Sequence, residues 1–198
     1  MPGCINAEEF SRSNSRGLAM GTDFSQRNAI VDSRGNVLAY AQTGGVISPS
    51  RSELREGDVI YRFGGRGTPI SRIAAGAWWI ERSQIDTLLA FANVHGLALP
   101  LALRILCLVP PEWSDLSTMV RARVRRPLLA WRGLGNSVLV RKTDGLGDVK
   151  LPSANEIAAR RVYQLWIPGL DKYGSEGIAV EQSWSFSAAQ SMAGWLYL

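Results

Sequence analysis

Asp58-Val59-Ile60-Tyr61-Arg62-Phe63-Gly64-Gly65-Arg66 is the run from which the fold is read. Val59, Ile60 and Tyr61 are strand-forming residues, and they deliver Arg62 to the end of a strand. Gly64 and Gly65 then free the backbone to turn sharply. Such a strand presents a fixed guanidinium, which is planar, bidentate and permanently charged, and so suits a phosphate better than a mobile lysine. The plainer alternative is an ordinary strand and a glycine-rich turn with a solvated arginine.

Outward from this run, strands outnumber helices. Ala29–Val31 and Val37–Ala41 flank the turn residues Asp32–Asn36 and form a hairpin. Ser48–Ser52 reads as a linker, dividing residues 1–50, an N-terminal appendage with that hairpin, from residues 51–198, a catalytic body. Residues 1–22 show little periodicity and read as loosely structured. Thr68–Ala75 suggests a short helix or turn before Trp78-Trp79-Ile80. Ser83 with Asp86 matches a capping box, and Ile85, Leu88, Leu89 and Ala92 share one helical face that Gly96 closes. The apolar run Leu101–Val109 reads as a buried strand. In Val120–Arg125 the arginines alternate with Val120, Ala122 and Val124, so they occupy one strand face. Leu128–Trp131, Ser137–Val140, Val162–Ile167 and Ile178–Phe186 are further strands, and Ser153–Glu156 is a second capping box. Helices do not alternate regularly with strands, which predicts an α+β fold with a mainly antiparallel split sheet and flanking helices.

Composition narrows the chemistry. The chain has 198 residues, 46% of them hydrophobic, which is enough for a sizeable core and argues against disorder. Seven tryptophans supply rings for the core or for a pocket that holds flat ligands. Cys4 and Cys107 form no motif, and His95 stands in a last helical turn before Gly96, where it complements the helix dipole. No metal is therefore expected. The polar first 16 residues lack a signal-peptide pattern. The expectation is synthesis in the cytoplasm, with any export using no cleavable signal. Neither a dinucleotide fingerprint nor a P-loop is present.

The order of an arginine-bearing strand, a tryptophan-rich strand, a helix, further strands and a late Tyr163-Gln164-Leu165-Trp166 strand resembles the ADP-ribosyltransferase fold. Tyr61-Arg62 is similar to the arginine that opens the NAD site in the cholera-toxin-like branch. Arg62-Phe63-Gly64-Gly65 is similar to a segment of bacterial NAD+ glycohydrolase toxins of the tuberculosis-necrotizing-toxin type, whose late strand carries glutamine. The likeness covers roughly residues 58–170. It implies a toxin that takes NAD+ as substrate and cleaves its nicotinamide–ribose bond, acts in a target-cell cytosol, and is restrained by a cognate immunity protein. Arg62 would anchor phosphate beside Tyr61 and Gly64, and Trp78, Trp79 or Phe63 would stack the nicotinamide. Gln164 would hold a ribose hydroxyl or water. No Glu-x-Glu pair exists, so Glu181, or else Glu176, is the candidate acid, and Ser137 stands in for an absent Ser-Thr-Ser element. Glutamine cannot deprotonate an acceptor, which favours glycohydrolysis over ADP-ribosyl transfer.

Two other classes fit the residues. The net charge of +5 and the arginine face of Val120–Arg126 allow a nucleic-acid-binding module or metal-free ribonuclease. A non-enzymatic adaptor is the third. Membrane insertion is not expected, because the most apolar stretch, Leu97–Val109, carries Arg104 and ends in Pro110-Pro111.

Overall fold

A computed structural model describes residues 3–25, 29–40, 42–141, 148–153 and 161–187. The chain runs α1 (Ala7–Phe10), α2 (Ser15–Ala19), β1 (Ala29–Val31), β2 (Val37–Tyr40), β3 (Val46–Leu54), β4 (Val59–Gly64), α3 (Ile70–Ala74) and β5 (Trp78–Glu81). It continues through α4 (Arg82–His95), α5 (Leu99–Cys107), β6 (Thr118–Val124), β7 (Leu128–Gly135), β8 (Val138–Arg141) and β9 (Asp148–Leu151). The last elements are β10 (Tyr163–Trp166), α6 (Leu170–Gly177) and β11 (Ile178–Ser185).

The fold is α+β. Seven strands form one sheet in the order β11-β6-β4-β5-β10-β7-β3, and every neighbouring pair is antiparallel. Because strand side chains alternate, Ile60 and Tyr61 enter different cores. Ile60 packs with Trp79, Ala122, Val124, Leu128, Leu165 and Ile167. Tyr61 packs with Phe63, Ile80, Met119 and the apolar sides of α4 and α5, including Ile85, Leu88, Leu103 and Leu106. Each fully buried aliphatic side chain contributes about 1.5–3 kcal/mol, so both faces hold the sheet.

β4 and β5 pair only through Ile60↔Glu81 and Tyr61↔Ile80. Beyond Tyr61 that ladder stops, whereas β4 stays paired with β6 as far as Gly64↔Thr118. The mouth opened there is where the candidate site lies.

Several sequence expectations need correction. Leu101–Val109 is not a strand, since most of it forms α5, with Pro100 near its start and Leu108 ending it in the left-handed conformation (φ 56°). Leu, Ala and Arg are strong helix formers, and burial on nearly all sides erased the helical period that would have shown it. Ser83 does not cap α4: Glu81 is the N-cap and makes no side-chain capping bond, while Asp86 pairs with Arg82 at 3.4 Å. Gly96 closes α4 at φ 63°, as expected.

Ser48–Ser52 is not a linker but the middle of β3, which pairs with β7 from Val46↔Gly135 to Leu54↔Leu128. Pro49 is tolerated because β3 is a sheet edge and its register shifts between Ile47 and Ser50. Residues 3–22 are also ordered against the sheet. The buried Asn6 side chain donates to the Leu129 and Pro168 carbonyls at 2.8 and 2.9 Å and accepts from the Leu129 amide at 2.8 Å. Phe10 stacks on Trp131 at 4.4 Å, and the Trp131 indole donates to Ser15 Oγ at 2.9 Å. The β1–β2 hairpin forms as expected. The capping box at Ser153–Glu156 falls mostly outside the described residues.

Candidate functional site

Where β4 and β5 part, a cavity of about 210 Å³ opens. β4 supplies Tyr61, Arg62 and Phe63, β5 supplies Trp78, Trp79 and Ile80, and β10 supplies Gln164. The end of α5 and the turn after it add Cys107, Leu108 and Trp113, and Gly44, Gly45, Asn136 and Val138 close the far side. Six of the sequence candidates therefore converge: Tyr61, Arg62, Phe63, Trp78, Trp79 and Gln164.

Arg62 is held from within the sheet. Its Nη1 donates to the Trp78 carbonyl at 2.6 Å, while its buried Nε has no hydrogen-bond partner among the described residues. No carboxylate pairs with it among the described residues, and burial alone pushes its pKa down to about 10. A desolvated cation without a counter-charge is costly, and an anion entering the cavity would offset that cost.

Gly76 makes the slot. A Cβ there would sit 2.1 Å from Arg62 Nη2 and 2.2 Å from Cζ, so only glycine lets the guanidinium lie where it does. The Trp79 indole donates to the Gly76 carbonyl at 2.7 Å and fixes this turn. Sequence reasoning missed Gly76, although a glycine just before the tryptophan pair was the available signal.

Gln164 lies across the cavity on β10, opposite Gly133 in β7. Its Nε2 donates to the Cys107 carbonyl at 3.1 Å. The Cys107 thiol is fully buried and pushed up to about 12. Adjacent Trp78 and Trp79 both border the cavity, though Trp79 is only 1% exposed and belongs to the core beneath. Phe63 leans on Phe186 at 6.2 Å, and the Tyr61 hydroxyl accepts from Arg82 at 3.4 Å.

The other candidates lie elsewhere. Gly64 faces α3, where a Cβ would meet Ile73 Cδ1 at 2.6 Å. Ser137 sits between the lining residues Asn136 and Val138, and its carbonyl accepts from the Gly44 amide at 2.9 Å. Glu181 stands on edge strand β11 outside the cavity, paired with Arg123 at 2.5 Å and Arg121 at 3.3 Å. The Arg123 hydrogen bond, chiefly, holds the Glu181 carboxyl below its ordinary range. Glu176 pairs with Arg126 at 3.0 Å. The arginine face of β6 is thus largely engaged by acids of the same chain, which leaves less of it for phosphates.

His95 packs on Phe91 at 4.4 Å. Among the described residues, no three His, Cys, Asp or Glu side chains are grouped to hold a metal ion. No single helix among them is long and apolar enough to cross a membrane.

No family model matches this chain, and no curated protein matches it. Among solved structures, Rhs1-CT in complex with cognate immunity protein RhsI1 is similar, with a TM-score of 0.38 and 16% identity over 77% of this chain and 89% of that one. A likeness that weak carries no argument about the site.

Proposed function

We propose that this protein consumes NAD+ by cleaving the nicotinamide–ribose bond, with water as the favoured acceptor and transfer to a macromolecule as the runner-up. The observation that supports this most is the buried, uncompensated guanidinium of Arg62 in a cavity bordered by aromatic rings and a glutamine. That set offers one site for a phosphate, flat walls for a ring, and an amide for a sugar hydroxyl.

In the reaction, the bond between ribose C1′ and the nicotinamide nitrogen breaks and its electron pair leaves with neutral nicotinamide. Water adds to C1′ and loses a proton to solvent, giving ADP-ribose. Arg62 holds the diphosphate and so orients the ribose. Gln164 has its amide nitrogen committed to the Cys107 carbonyl, so its oxygen is the atom that accepts from a ribose hydroxyl or the incoming water. A preorganised contact of this kind contributes about 2.7–4 kcal/mol when it strengthens in the transition state. The cavity, about 210 Å³, suits the nicotinamide–ribose half, and the adenosine half would extend through its mouth.

The biological setting is part of the same proposal. A toxin acting in a target-cell cytosol and neutralised by an immunity protein is what the sequence resemblance implies. Incubation of purified protein with NAD+ alone, then with cell extract, tests the chemistry. Free nicotinamide without extract means hydrolysis, and release only with extract means transfer. Release under neither condition overturns the reading.

A further inference from the structure

The turn after α5 carries a side chain that takes no part in holding the phosphate or the ribose. Trp113 borders the cavity yet remains 50% exposed, a large apolar surface left in water. Across the mouth the outer edge of its six-membered ring abuts Gly44: a Cβ there would lie 2.4 Å from Trp113 Cη2 and 3.0 Å from Cζ3.

Both halves of this contact are anchored from behind. Arg104 on α5, 1% exposed, donates Nη1 to the Val109 carbonyl at 2.9 Å and Nη2 to the Ser114 carbonyl at 2.8 Å. It thereby brackets the turn in which the Trp113 amide donates to the Pro110 carbonyl at 3.1 Å. On the opposite rim, the Gly44 amide donates to Ser137 and the Asn136 amide to Gly45, each at 2.9 Å. A buried arginine spent on holding a surface turn makes sense when the turn must present its indole at a fixed place.

We propose that Trp113 is the specificity-determining ring of this cavity: its open face stacks a flat nitrogen heteroaromatic group at the mouth, while Arg62 takes the anion inside. The inference rests on the reading of Arg62 as an anion site, and it adds a residue that neither motif nor spacing had singled out. Arg104 is a positioning residue that acts through Trp113. Nicotinamide and adenine share the required chemistry, and the experiment separates them.

The test measures binding of three probes to the full chain by ligand-observed NMR: nicotinamide, adenine and inorganic pyrophosphate. Trp113→Ala is expected to weaken the heteroaromatic probe by about tenfold or more, since stacking on an aromatic side chain contributes that much per base. Pyrophosphate affinity should stay at the wild-type level, and Trp113→Phe should retain most of the ring binding. Unchanged ring affinity in Trp113→Ala, or no binding of either ring to the wild type, overturns the inference. If Trp113→Ala loses the ring while Arg62→Ala leaves pyrophosphate binding intact, the anion site falls and the assignment of Trp113 stands.

Discussion

Arg62 Nη1 lies 2.6 Å from the carbonyl oxygen of Trp78, the two residues standing one and two positions beyond the last backbone pair joining their strands, Tyr61↔Ile80. The guanidinium thus takes up a carbonyl at the place where the β4–β5 ladder ends. This bond turns a side chain into part of the sheet, and it fixes the cation that the proposed chemistry needs. A solvated arginine on a strand end would do neither.

The slot for that cation depends on Gly76. Gly76→Ala places a methyl 2.1 Å from Nη2, so Arg62 must move while remaining chemically intact. The expected result is a loss of nicotinamide release of about a hundredfold, comparable to removing one preorganised donor. Leaving the Trp78 carbonyl unpartnered should also cost about 1–3 kcal/mol of stability. Turnover and a denaturant melt on the same variant check both.

How much of this was legible in the residues follows from what alternation can encode. Tyr61 and Arg62, Trp78 and Gln164 lie on strands whose existence their β-branched and aromatic neighbours announce, so their elements were readable. Alternation also placed Arg121 and Arg123 on one face of β6 correctly, because Val120, Ala122 and Val124 opposite them are all buried while the two arginines are half-buried or exposed. α5 was misread because burial of Leu101, Ala102, Leu103 and Leu106 leaves no polar face to set the period. Gly44 and Trp113 were invisible for another reason. Their roles exist only in contacts between residues far apart in the chain, and no local pattern records those.

Arg104 provides a second check. Arg104→Met keeps the bulk of the side chain but removes both bonds to the Val109 and Ser114 carbonyls. The turn should loosen, and affinity for the heteroaromatic probe should fall while pyrophosphate affinity is unchanged. A parallel loss of both affinities would mean that Arg104 only supports the fold.

Cys107 reports on core integrity. Its thiol, pushed up to about 12 by burial, should resist alkylation in the native protein and react once the protein is unfolded. The sign on stability is definite. A thiol that keeps its proton in the fold favours folding below the unfolded value of 9.0, and that contribution is lost as pH rises toward about 12. As pH rises above 9.0, wild type should lose stability relative to Cys107→Ala, and the titration of Arg62, which both proteins share, cancels in the difference. Thermal melts across that interval measure the difference.

Glu181 acts at the acid end. Arg123 holds its carboxyl below the ordinary value of 4.5, so its stabilising contribution is complete above that value and disappears as pH falls through the lower folded one. The stability gap between wild type and Glu181→Gln should therefore close on acidification. Because Glu181 lies outside the cavity, nicotinamide release by the variant should stay at the wild-type level; a collapse of turnover would give this residue a role in catalysis.

One side chain, Arg62, and one substrate, NAD+, carry the proposed chemistry. The direct measurement is free nicotinamide released from NAD+ by the wild-type protein and by Arg62→Ala, with circular dichroism verifying that both are folded. Steady release by the wild type is expected, with a drop of about a hundredfold or more in the variant. Equal release by the two proteins, or none by the wild type with or without cell extract, would contradict it.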